Sequence, residues 1–144
     1  MGRARSVLLV VDTNVLVSGV LRADGPPAAV LTAVLQGDET AVVSRDILAE
    51  YAEVLSRRKS GFDARRIQAL LDGLRGDALF IAPPASRLRA RDPDDQRFVD
   101  AAVAAICPIV TGNVRDFPRS PDLSVLTPAE WLRRSGSRAT LAGK

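Results

Sequence analysis

The chain has 144 residues, a formal charge of +3, 47% hydrophobic and 4% aromatic side chains, and no histidine. That apolar share excludes a disordered chain, and the length suits one domain with its own core. Without histidine, Ser-His-Asp and Cys-His catalysis and histidine zinc sites are excluded. So few aromatics also argue against a base-stacking platform. Among 20 basic residues only Lys59 and Lys144 are lysines, and the arginines suit phosphate or a solvated surface equally well. The lone Cys107 lies in the apolar run Ile106 to Val110 and reads as a small buried hydrophobe, which excludes an internal disulfide framework. No apolar stretch approaches the roughly 20 residues of a membrane span, and the basic start lacks signal-peptide features. The expectation is a cytoplasmic protein without a membrane.

The first strand spans Ser6 to Val11, and its unbroken apolar run Val7 to Val11 is of the kind buried on both faces of a parallel sheet and ends on Asp12. Leu16, Val17 and Val20 follow with helical spacing, and Asp24-Gly25-Pro26-Pro27 breaks the chain. A helix over Ala28 to Leu35 is closed by Gly37, and Thr40 to Val43 reads as a strand. Ser44 caps the next helix, whose stripe is Ile47, Leu48, Tyr51, Val54 and Leu55. Asp63 caps another over Ala64 to Leu74, and Ala78 to Ala82 is an extended piece stopped by Pro83-Pro84. Arg87 to Arg91 form a basic connector, after which Phe98, Val99, Ala102, Val103 and Ile106 mark a helix. Pro108 to Val110 and Leu123 to Leu126 are strands, and Thr127-Pro128 opens a short helix through Leu132. Alternating strands and helices imply an α/β/α sandwich with a central, mainly parallel sheet. One domain over residues 1–134 is expected, with 135–144 a flexible tail.

Acidic residues recur after the apolar segments. Asp12 ends the first strand, Glu50 sits on the helix after the second, Asp95 opens the helix before the Cys107 strand, and Asn113 and Asp116 follow that strand. In an open α/β sheet, chemistry collects at the carboxyl edge of the strands. Carboxylates gathered there repel and raise one another's pKa, a conflict that a divalent cation removes. An all-oxygen donor set suits Mg²⁺ or Mn²⁺ far better than zinc. Each residue also has a plainer reading. Asp12 suits a helix cap, Glu50 a solvated helix face, Asp116 a loop, and Asp92, Asp94 and Asp95 the positive end of a helix dipole.

Four segments resemble, in order, the motifs of PIN-domain nucleases. They are Val10-Val11-Asp12-Thr13-Asn14, Ile47-Leu48-Ala49-Glu50-Tyr51, Asp92-Pro93-Asp94-Asp95-Gln96-Arg97-Phe98, and Val110-Thr111-Gly112-Asn113-Val114-Arg115-Asp116. The nearest branch is the toxin-like, VapC-like group of prokaryotic toxin–antitoxin systems. The resemblance implies a metal-dependent ribonuclease in which Asp12, Glu50 and Asp95 are catalytic and hold Mg²⁺ or Mn²⁺, with Asn113 and Asp116 completing the metal set. It further implies that Thr13, Asn14, Ser18 and Thr111 orient ligands or contact phosphate. Arg22, Arg91, Arg97 and Arg115 become candidates for the RNA backbone, and a cognate antitoxin and a homodimer become expected partners. Many members of the family carry Asp where this chain has Asn113, which leaves a second metal in question. Two other readings stand beside this one. The chain fits a degenerate PIN domain that binds RNA or protein without cutting, supported by Asn113. A haloacid-dehalogenase-type phosphatase fits less well, because Asn14 stands where that pattern has a second Asp and neither lysine is well placed.

Overall fold

The computed structural model describes residues 7–57 and 63–142, with side chains described to residue 135. The basic start, Lys59 and the last two residues of the expected tail lie outside the described residues.

Five parallel strands form one sheet in the order β3-β2-β1-β4-β5. They are β1 (Val7–Val11), β2 (Glu39–Val43), β3 (Leu79–Phe80), β4 (Ile109–Val110) and β5 (Val125–Leu126). Helices α1 (Thr13–Leu21) and α2 (Pro26–Leu35) join β1 to β2, and α3 (Arg45–Arg57) and α4 (Ala64–Gly76) join β2 to β3. The chain then returns through α5 (Gln96–Ala105) to β4, and α6 (Pro128–Ala142) follows β5. Right-handed crossovers put α1–α4 on one face and α5, which crosses the opposite way, on the other. α6 packs on α2, and α5 lies against β1, β2 and β4. The expected three-layer sandwich is thus present.

Apolar sequence drives this arrangement. Leu9, Val10, Val42, Phe98, Val99 and Ile109 have no exposed surface, so the central strands are buried on both sides. Helix α3 buries Ile47, Tyr51 and Leu55, and Ser44 Oγ accepts from the Ile47 N–H at 3.2 Å. Asp63 caps α4 by accepting from Arg66 N–H at 2.8 Å. α1 and α2 pack closely at Gly19, where a Cβ would stand 2.9 Å from the Pro27 carbonyl oxygen.

Five elements depart from the sequence reading. Pro26 and Pro27, read as a break, are the first turn of α2, where a missing N–H costs nothing. The extended pieces around β3, β4 and β5 are wider in sequence than the two-residue ladders that form. α6 runs to Ala142, well past Leu132. Its start is fixed by a reciprocal capping box, Glu130 Oε1 accepting from Thr127 N–H at 2.8 Å and Thr127 Oγ1 from Glu130 N–H at 3.1 Å.

Candidate active site

The strand order reverses at β1. The chain steps outward to β2 and β3, then returns to place β4 on the other side of β1. A crevice opens where such a reversal occurs, beyond the carboxyl ends of the two strands. Asp12 follows β1 and Thr111 follows β4, so both stand at that crevice. Asp12 is 7% exposed, and its Oδ2 accepts from the Thr111 hydroxyl at 2.7 Å. The Thr111 oxygen in turn accepts from the Asn113 N–H at 3.0 Å, and the Asp12 N–H donates to the Val110 carbonyl at 3.0 Å. Asp12 occupies the N-cap position of α1 yet makes no capping hydrogen bond. Its carboxylate turns to β4 instead, so the plain capping reading does not hold.

Two neighbours assemble around it. The Tyr51 hydroxyl donates to the Val11 carbonyl at 2.6 Å, in full burial, and so ties α3 to the end of β1. Glu50 is the adjacent residue on α3 and is half-buried. Arg97, on the first turn of α5, reaches back to α3. It donates to the Asp94 and Asp46 carbonyls at 3.0 Å each, and it stands 3.8 Å from Glu50 Oε1. Asp95 is half-buried at the start of α5, at the end of a short 3-10 turn opened by Asp92. Asp116 is exposed at the end of a second such turn after β4.

The electrostatics show that these carboxylates share one field. Burial raises the Asp12 carboxyl above its ordinary range, the Thr111 bond and the Thr13 N–H pull it back, and Asp116 and Glu50 push it up again. Asp95 is raised to about 6, by burial first and then by Asp12, Asp92, Asp116 and Glu50. Among the described residues no three acidic or thiol groups stand as a closed metal cluster. The site nevertheless fits a hard divalent cation in its donors and its charge. They are all oxygen, and their mutual repulsion is what a cation would neutralise. Thr13 Oγ1 is buried beside Asp12 and has no hydrogen-bond partner among the described residues.

The remaining candidates divide clearly. Asn14 Oδ1 accepts from the Gly112 N–H at 3.3 Å, linking α1 to the turn after β4. Asn14, Ser18 and the exposed Asn113 line a recess of about 470 Å³. Arg91 and Arg115 line a second cleft, beside Asp116. Arg97 directs Nε and Nη1 to backbone carbonyls and stands beside Glu50, so it braces the site. Arg22 lies past the end of α1, about 15 Å of helix rise from Asp12, and is not brought to the crevice. Sequence reading missed the part played by Tyr51, which looked like one more apolar stripe position. It also missed the anchoring of the 86–90 connector by Gln96 and Asp100. The signal for Tyr51 was a hydroxyl on a fully buried face, which demands a partner.

A family profile described as "PIN domain" matches residues 8–115. No curated protein matches the chain in sequence. Among solved structures, VapBC2 from Rickettsia felis bound to a promoter DNA fragment is similar with a TM-score of 0.60 at 20% identity, over 84% of this chain and 98% of the other. VapBC-1 from nontypeable Haemophilus influenzae gives 0.60 at 15% identity, over 85% and 99%. FitAcB from Neisseria gonorrhoeae gives 0.56 at 17%, over 84% and 98%. At such identities the likeness is one of fold.

Proposed function

This chain belongs to the PIN domain family, and on that premise we propose that it is a metal-dependent ribonuclease and the toxin of a toxin–antitoxin pair. The observation that carries the reading is Asp12, buried at the strand reversal, held by Thr111 and raised in pKa by burial and by other carboxylates. A structural aspartate gains nothing from that field. A cation-binding one does.

Asp12, Glu50 and Asp95 are the residues to hold Mg²⁺ or Mn²⁺, with Asp116 supplying further negative charge and Asn113 a neutral amide oxygen. The ion would acidify a water and neutralise charge at the scissile phosphate. The chain's own part is orientation. Thr111 fixes the Asp12 carboxylate, Tyr51 holds the backbone before it, and Arg97 restrains Glu50. Asn14 and Ser18 present polar groups to the neighbouring recess, where a sugar or phosphate would lie. The likeness to the VapBC structures supports an antitoxin partner, while the RNA substrate and the homodimer are parts of the proposal that rest on the family resemblance.

The test is incubation of the purified protein with a structured RNA pool in Mn²⁺, in Mg²⁺ and in EDTA, beside Asp12→Asn. Cleavage that needs the metal and disappears in the variant is the expected result. If neither protein cuts and calorimetry detects no Mn²⁺ binding, the chain is a binding module with a degenerate site.

A further inference from the structure

A cleft of about 900 Å³ opens beside Asp116. Its rim carries Arg89, Arg91, Arg115 and Arg119, and its floor includes Phe117 and Leu123. The four arginines are exposed, whereas the two floor residues are buried. Two separate stretches supply the rim, the connector between β3 and α5 and the loop between β4 and β5. None of the four guanidiniums has a carboxylate ion-pair partner among the described residues, where Arg97 and Glu50 form the pair. Four cations facing one recess repel one another, and an anion with several charges relieves that repulsion.

The connector is held in place for this. Gln96 Oε1 accepts from the Ala90 N–H at 2.7 Å, between Arg89 and Arg91, and Gln96 Nε2 donates to the Leu88 carbonyl at 2.8 Å. Asp100 Oδ1 accepts from that same Nε2 at 2.8 Å and from the Ser86 N–H at 2.9 Å. The backbone that bears two of the arginines is therefore fixed before any ligand arrives, which lowers the entropy cost of binding. The recess on the other side of the 111–116 turn, lined by Asn14, Ser18 and Asn113, has no charged lining residue. The two flanks of the carboxylate site thus differ sharply in charge.

We propose, resting on the ribonuclease reading above, that the arginine cleft is the groove for a single-stranded RNA segment on one side of the cleaved bond. The arginines take its phosphates, and the apolar floor takes one unstacked base. A recess with buried apolar residues at its bottom fits a splayed base, which a stacked duplex does not offer. The cleft meets the acid site at Asp116, which lines it, so a strand lying there leads its next phosphate toward Asp12.

The experiment uses Asp12→Asn protein in EDTA, so that nothing is cut, and an unstructured RNA oligonucleotide followed by fluorescence anisotropy over a series of salt concentrations. The added pair Arg89→Ala with Arg119→Ala is expected to weaken binding and flatten the log–log salt slope by about 1.4, at about 0.7 per lost phosphate contact on a single strand. Arg65→Ala with Arg75→Ala, both exposed on α4, removes the same two charges elsewhere and controls for net charge. A slope in the double variant no flatter than in that control overturns the proposal. So does a matched DNA strand that binds more tightly than the RNA, or a loss confined to an acidic peptide probe. Wild-type protein that cuts nothing in Mn²⁺ while the slope still falls would sink the nuclease reading and leave the groove standing.

Discussion

Asp95 shows what burial, joined by the crowding of acids, does to one side chain. Its carboxyl is raised from 3.8 to about 6, so the folded chain binds its proton more tightly than the unfolded chain does. Between those two values the folded state holds more protons, and stability falls as pH rises through the window. In EDTA, the melting temperature is therefore expected to be higher at pH 5 than at pH 7. Asp95→Asn should shrink that difference, because an amide has no proton to lose. Equal pH dependence in both proteins would show that neither burial nor its neighbours raise the Asp95 carboxyl. Cys107 is pushed up to about 12 by burial alone, which makes it inert as a nucleophile and agrees with its reading as a small hydrophobe.

At the scale of elements, α5 ends in an unusual way. Ile106 closes it in the left-handed region, at φ 54°, and is 90% exposed. Its N–H donates to the Val103 carbonyl at 3.3 Å and the Cys107 N–H to that of Ala102 at 3.1 Å, the pair of bonds that satisfies a helix end. A β-branched residue there carries about 1–2 kcal/mol of strain, partly offset by the extra freedom glycine would bring to the unfolded chain. Ile106→Gly is expected to raise the melting temperature by about 2 °C, and a fall would show that the side chain has a packing role. The same position shows where sequence fell short. Ile106 read as part of the helical pattern, because spacing cannot tell the last helical residue from the first one past it. Caps at Ser44 and Asp63 were readable because side-chain chemistry announces them, whereas the turns at Pro93–Asp95 and Val114–Asp116 carry no periodicity. Asp12 and Asp116 were legible as candidates from their places after strands, whereas Glu50 and Asp95 were singled out by the family resemblance. The braces were not: Tyr51 and Arg97 act on backbone carbonyls 40 and 51 positions away, and Gln96 holds the backbone of a connector that has no periodic pattern.

For the whole molecule, the crevice gathers several buried or half-buried acids into one field, so filling it should be felt globally. Mn²⁺ at a hundred times its dissociation constant is expected to add about 2.7 kcal/mol, or roughly 5–10 °C in melting temperature. Asp12→Asn should lose most of that gain. A shift of the same size in both proteins would mean that the ion binds elsewhere. The bond between Thr111 and Asp12 joins positions 99 apart in the chain. At about 5–20 residues per second of synthesis, roughly 5–20 s separate the making of one partner from the making of the other. For all that time the nascent chain carries its key aspartate without the strand that orients it. On the ribonuclease reading proposed above, an enzyme that cuts RNA, made on a machine of RNA, is in this way unarmed until most of it has been synthesised.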